Sequence, residues 1–257
     1  MTSKVALVTG GARGIGRAIV LRLAHDGFDM AINVRQEETG KPVAQEVRAM
    51  GRKALTIAGD VSKSVEVKAM FAKALREFGR LDVLVTNAGV IQINTLEELD
   101  EDIWDRTLAV NAKGTYLCIL EATKPMIQQK SGRIITMGSG YAIEGAKDSV
   151  AYSASKFAVR GMTQAFAKAL GPHGVTVNCI VPGYILTDMW AEADAALGRM
   201  YGYKPGEALE EEIKAHVPLQ KPGLPEDVAS AVSFLASEDA RYITGATIQV
   251  GGGSPIF

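Results

Sequence analysis

The chain is 257 residues long, 47% hydrophobic and 22% charged, enough for a single α/β domain with a sizeable core. Its formal net charge of −1 offers no electrostatic footing for nucleic acid or an anionic membrane as partner. No apolar run reaches the roughly 18–20 residues of a membrane helix, and the early VALV is too short for a secretory signal, so a soluble cytoplasmic protein is expected.

The first apolar run, VALVT (5–9), leads directly into TGGARGIG (9–16), which opens a helical pattern over 16–27. Gly10, Gly14 and Gly16 allow a tight turn, close approach of backbone to a pyrophosphate, and close helix–sheet packing. The helix N-terminus around Ile15 then presents N–H groups to an anion. The spacing departs from G-x-G-x-x-G, with three residues between the first two glycines. A second strand, MAINV (30–34), ends at Val34 and is followed by Arg35, then by Glu37 and Glu38 in a solvated helix start.

ALTIA (54–58) predicts a third strand, with Asp60 and Val61 just beyond it, and a helical pattern covers 64–79. Asp60 suits either a ligand crevice or a helix N-cap. DVLVT (82–86) predicts a fourth strand ending in Asn87-Ala88-Gly89, and RIITM (133–137) a fifth with Ser139 just past its end. Tyr152 and Lys156 stand four apart in the helical pattern 152–170 and so share one helix face. A phenol ordinarily titrates near 10, too high for a proton shuttle at neutral pH. A neighbouring ammonium favours the phenolate, and Ser139 would hold a carbonyl or alcohol oxygen.

VTVNCI (175–180) and ATIQV (246–250) complete seven short apolar strands separated by helical patterns, the last helix covering about 225–237. That alternation predicts a doubly wound, Rossmann-like parallel sheet with helices on both faces, in one domain over 1–257. Residues 188–224 intervene without a strand, and a lid is expected over 188–216. Cys118 and Cys179 lie in apolar stretches without motif spacing, as buried free thiols of a reducing compartment would. His25, His173 and His216 show no metal-ligand spacing, and no metal is predicted.

Over essentially its whole length the sequence resembles the short-chain dehydrogenase/reductase family. TGGARGIG matches the family's cofactor turn, NAG (87–89) its ring-stabilising turn, and Ser139 with YSASK (152–156) its active site. The resemblance implies that Asn111, in LAVNAKG, is a fourth catalytic residue holding a water that relays protons through Lys156. It also implies that Pro182, Gly183, Ile185 and Thr187, in VPGYILT, face the nicotinamide carboxamide, with Tyr152 and Lys156 touching the cofactor too. Two departures stand out: Thr86 replaces the first Asn of Asn-Asn-Ala-Gly, and Val250-Gly251-Gly252-Gly253 replaces Val-Asp-Gly-Gly.

In NAD-selective relatives an acidic residue at the tip of the second strand holds the adenosine ribose. This chain has Val34 there, with Arg35 after it and Arg13 in the glycine turn directed to the same corner. NADP(H) is therefore the expected coenzyme, with NAD(H) the alternative. The expected reaction is hydride exchange between the nicotinamide and a small carbonyl or secondary alcohol, of the acetoin/diacetyl, ketose or polyol type. A 3-oxoacyl-carrier-protein reductase is the alternative substrate class; it would dock an acidic carrier on a basic patch to which Arg160 and Lys168 could contribute, against an acidic segment at Glu207, Glu210, Glu211 and Glu212. A non-catalytic nucleotide-binding regulator is the alternative of another class, and it should lack Ser, Tyr or Lys, all of which are present here. The resemblance further implies a homotetramer.

Overall fold

Seven apolar segments, each too short for a helix and bounded by Gly, Asp or Asn, pair into one sheet. The structure is a computed structural model and describes residues 3–254. The strands are β1 (Val5–Thr9), β2 (Asp29–Val34), β3 (Ala54–Ala58), β4 (Val83–Thr86), β5 (Gly132–Met137), β6 (Val175–Pro182) and β7 (Thr247–Val250). They run parallel in the order β3-β2-β1-β4-β5-β6-β7. Strand order reverses between β1 and β4, so the crevice at their carboxyl ends is where a ligand fits.

The helices are α1 (Gly14–His25), α2 (Glu37–Ala49), α3 (Ser64–Phe78), α4 (Glu101–Thr107), α5 (Gly114–Gln129), α6 (Val150–Leu170), α7 (Asp188–Tyr201), α8 (Glu207–His216) and α9 (Pro225–Ala236). Side chains alternate across each strand, and both faces are apolar because both are covered. On one face Ala6, Val8, Met30, Ile32, Val83 and Val85 pack beneath α1, α2 and α9, with Ile19, Val47 and Val232 fully buried. On the other Leu7, Ala31, Leu84 and Ile134 meet α3, α5 and α6 through Phe71, Ile119 and Leu170. Both cysteines are buried, and burial, followed by the nearby Glu121 charge, pushes the Cys118 thiol up to about 12. That thiol is an inert core residue at neutral pH.

Three local features position the chemistry. Between α4 and α5 the chain winds as a π-helical turn over Leu108–Lys113, and this places Asn111 in the interior. The long insertion after β6 is helical: α7 and α8 form a hairpin whose turn is fastened by Asp194, which accepts from the N–H groups of Gly206 (2.7 Å) and Leu209 (3.4 Å). At the far edge, Gly183 donates its N–H to Val250 at 3.0 Å, and Gly251 packs against Gly183. A Cβ on Gly251 would overlap the Ser254 carbonyl oxygen, so this tight turn has no room for a side chain at position 251.

Candidate active site

The glycine turn is held in place from the neighbouring strand. Asn87, just past β4, donates from Nδ2 to the carbonyls of Thr9 (3.0 Å) and Gly10 (3.1 Å), while Ala88 donates its N–H to Thr9 Oγ1 at 3.0 Å. Gly10 and Gly14 adopt φ of 65° and 52°. A Cβ on Gly16 would overlap the Gly10 carbonyl oxygen and stand 2.5 Å from Asn87 Nδ2, so only glycine fits. The residue capping α1 is Arg13, whose side chain makes no capping bond, and the first turn carries no acid. The leading N–H groups of α1 are therefore left without a side-chain acceptor at the mouth of the crevice.

Around this turn lies a cleft of about 620 Å³, lined by all the residues expected from the glycine turn, by Val34 and Arg35 after β2, by Asp60 and Val61 after β3, and by Asn87, Ala88 and Gly89 after β4. Thr187 closes it and also lines a second cleft of about 540 Å³ that holds Ser139, Tyr152, Lys156, Pro182, Gly183 and Ile185. Ile15, Asn87 and Gly89 line both, so the two form one continuous trough.

Asp60 is not the cap of α3, a position taken by Lys63. Its carboxylate accepts from Ser62 Oγ (2.7 Å) and Ser62 N (2.9 Å). Burial pushes that carboxyl up, but these bonds, with Arg35 and Lys63 nearby, outweigh it and hold the group below its ordinary range. Arg35 thus stands exposed at the β2 end of this cleft, the corner expected to take the adenosine, beside the Asp60 carboxylate. Arg13, expected at that corner, turns elsewhere: Nη1 donates to Asp188 at 3.4 Å and Nη2 lies 4.0 Å from Glu192. Two carboxylates one turn apart at the start of α7 draw it across the cleft. Val34 is 4% exposed and packs beneath Gly40 of α2.

At the chemical end, Lys156 Nζ donates to the Met137 carbonyl at 2.9 Å and lies 5.4 Å from the Tyr152 ring centroid. Ser139 sits at the end of β5, and its Oγ accepts from Tyr141 N at 3.3 Å, which leaves its own proton to donate. Asn111 lines neither cleft directly. Its Nδ2 donates to the Val90 carbonyl (2.9 Å) and Ser155 Oγ (3.0 Å), and its Oδ1 accepts from Val90 N at 2.9 Å. Ser155 Oγ in turn donates to the Tyr152 carbonyl at 2.7 Å. A chain of bonds therefore ties the loop after β4 to the helix turn carrying Tyr152.

Two further tyrosines, Tyr141 and Tyr184, line this cleft. Tyr141 meets the Tyr152 ring edge-on at 6.0 Å between centroids. Burial first, then Asp148, Glu212 and Tyr152, hold its phenol above the ordinary value. Tyr184 donates to Glu212 Oε2 at 2.7 Å, and burial followed by that bond and charge raises it as well. Tyr141, Tyr184 and Glu212 were not expected in this cleft from the sequence, and Trp190 only as an apolar residue of the 188–216 segment, because each approaches from a different loop or helix. Glu212 had shown itself only as part of an acidic run. Arg160, expected on a surface with Lys168, is half-buried and donates to the Ala142 carbonyl at 3.3 Å. Among the described residues no His/Cys/Asp/Glu cluster suits a metal, and no helix is long and apolar enough to cross a membrane.

Comparison with known proteins gives one consistent result. The family model described as short chain dehydrogenase matches residues 4–198. A short-chain dehydrogenase/reductase of Armillaria gallica is 45% identical over 97% of this chain and 95% of its own length. A 3-oxoacyl-(acyl-carrier-protein) reductase of Staphylococcus aureus is 40% identical over 98% of both chains. Among solved structures, NAD+-bound xylitol dehydrogenase superposes with a TM-score of 0.93 at 29% identity, over 97% of this chain and 98% of its own.

Gly16→Ala tests the turn. The added methyl forces the Gly10 carbonyl and Asn87 apart; a cost of about 1–3 kcal/mol is expected from such overpacking. Nicotinamide coenzyme affinity should fall by roughly tenfold or more in fluorescence titration, since the anion-facing N–H groups move with the turn.

Proposed function

This chain belongs to the short-chain dehydrogenase/reductase family, as an oxidoreductase acting on CH–OH groups with a nicotinamide coenzyme, and on that footing we propose that it interconverts a small carbonyl compound and its secondary alcohol. The residues present suit that coenzyme. The N–H groups leading α1 have no side-chain acceptor and suit a pyrophosphate, and the trough runs on from the glycine turn to Tyr152. When bound, the coenzyme supplies or accepts the hydride.

The observation that carries the reading is the contrast among the three cleft tyrosines. Tyr141 and Tyr184 face carboxylates, whereas Tyr152 has the Lys156 ammonium beside its ring. In this reading Tyr152 holds and releases the proton at its phenol oxygen, with the Lys156 ammonium at its side. Lys156, anchored on the Met137 carbonyl, supplies that cation. Ser139 donates to the carbonyl or alcohol oxygen and orients it. Asn111 keeps the loop at Val90 and the helix turn at Tyr152 in register through Ser155.

A carrier-protein reductase is the second reading, favoured by the 40% identity to the staphylococcal enzyme. Against it, Arg160 is spent on a backbone carbonyl, and Glu144, Asp148 and Glu212 line the cleft. Those carboxylates would repel an acidic carrier or a phosphorylated arm. The reading extends to a cytoplasmic homotetramer. Its support is the pair of buried thiols and the exposed Tyr116 and Phe157 on α5 and α6, apolar groups a subunit contact would cover.

Three measurements test this reading. Tyr152→Phe should keep the fold and coenzyme affinity while turnover drops by roughly two to four decades, the range for a lost general acid/base. Near-normal turnover would remove Tyr152 from the chemistry. The exposed Arg35 and the absence of an acid at Val34 also make NADP(H) the preferred coenzyme. One charge-assisted contact of about 1.5–3 kcal/mol amounts to roughly ten- to a hundredfold in kcat/KM, which Arg35→Ala should abolish. A wild type favouring NADH would refute this. Residues 188–216 act as a lid, supported by the reach of Arg13 to Asp188 and of Tyr201 Oη to Asp148 (3.4 Å) across the cleft. Hydrogen exchange over 188–216 should slow when coenzyme and substrate bind together, and equal exchange in both states would mean a permanently packed insertion.

A further inference from the structure

The acidic run of α8 is not uniform. Glu207 accepts from the Lys204 N–H at 2.8 Å and Glu211 pairs with Lys214 at 2.8 Å, both on the solvated side. Glu212 turns inward, is one-third exposed, and lines the same cleft as Tyr152. Its Oε2 accepts from Tyr184 Oη at 2.7 Å and lies 3.7 Å from His216 Nε2. Its other oxygen has no partner among the described residues. Beside it, Trp190 packs edge-on against Tyr184, with centroids 5.2 Å apart. Trp190 also lines the cleft, and its indole N–H is buried without an acceptor. A carboxylate with an unused acceptor and an indole with an unused donor thus flank Tyr184 on the wall of the cleft that also holds Tyr152.

We propose that Glu212 is a specificity-determining residue that accepts a hydrogen bond from a hydroxyl of an open-chain polyol or hydroxyketone, with Tyr184 positioning its carboxylate and the Trp190 indole donating to a neighbouring oxygen of the same substrate. The proposal rests on the small-carbonyl reading above and narrows it to hydroxylated substrates. The chemistry favours that class. A carboxylate at the cleft wall repels phosphate and carboxylate groups, and a purely apolar ketone would leave both Glu212 and the Trp190 N–H unpaired. A hydroxyl away from the reacting carbon satisfies either group. Sites built to hydrogen-bond a hydroxyl discriminate strongly against the analogue that lacks it.

The test is a four-carbon ketone series, butan-2-one, acetoin and erythrulose, which adds hydroxyls to one skeleton. Wild-type kcat/KM should rise along the series. In Glu212→Leu the ratio of erythrulose to butan-2-one should fall by roughly tenfold or more, with the loss on the hydroxylated partner. Glu212→Gln, isosteric and able to fold where leucine does not, should lower the same ratio in the same direction. Tyr184→Phe should act through KM for erythrulose rather than through kcat, a split that a purely structural clamp would not produce. A flat wild-type series, or a ratio unmoved in both Glu212 variants, overturns the assignment while leaving the small-carbonyl reading intact. A wild type that reduces only an acetoacetyl thioester overturns both.

Discussion

The bonds from the Asn87 carboxamide to the carbonyls of Thr9 and Gly10 are the constraint on which the rest of the site depends. They cross the point where strand order reverses, joining the end of β4 to the turn that follows β1. With Gly16 pressed against Gly10, they leave the first turn of α1 one available position. Everything at the nucleotide end follows from that placement. The leading N–H groups of α1 belong to a helix that cannot shift without breaking these half-buried bonds, so their position at the crevice is fixed by the fold itself.

The chemical end is built by a similar device at one remove. Lys156 is fixed by a main-chain carbonyl of β5, and Tyr152 is held through its own carbonyl, Ser155 and Asn111. The π-helical turn at Leu108–Lys113 brings Asn111 to the inner side, where it meets both Val90 and Ser155. The Lys156 side chain and the helix turn that carries Tyr152 are thereby held by backbone atoms of rigid elements. The three phenols of the cleft differ in their neighbours, the Lys156 ammonium lying beside the Tyr152 ring and carboxylates lying near Tyr141 and Tyr184.

The wall opposite these groups comes from the α7–α8 hairpin. Its packing is modest, with Ala193, Leu197, Ala208 and Ile213 buried, and its turn depends on Asp194. Arg13 reaches it from the glycine turn, so that turn and the hairpin share an ion pair between exposed groups. Surface pairs of this kind contribute little to stability, about 0–1 kcal/mol. The contact matters because it joins the two halves of the trough.

What the sequence determined by itself was local: seven strands, the glycine turn, and the spacing that sets Tyr152 one helical turn from Lys156. Strand boundaries agree to within a residue or two, because buried parallel strands are uninterrupted apolar runs ended by Gly, Asp or Asn. The motifs were legible for the same reason, each being a short segment whose chemistry and backbone geometry lie together. What only the tertiary structure decided were partnerships between distant segments. Arg13 is drawn to α7, 175 residues away in sequence, by two carboxylates that no local pattern connects to it. Arg160 is spent on a carbonyl, Val34 lies under α2, and Gly251 is required by the Ser254 carbonyl oxygen that a Cβ there would overlap. Glu212 is set apart from its acidic neighbours only by the side of α8 that meets the cleft. A charged residue's partner depends on which surfaces fold against one another, and composition and periodicity carry no record of that.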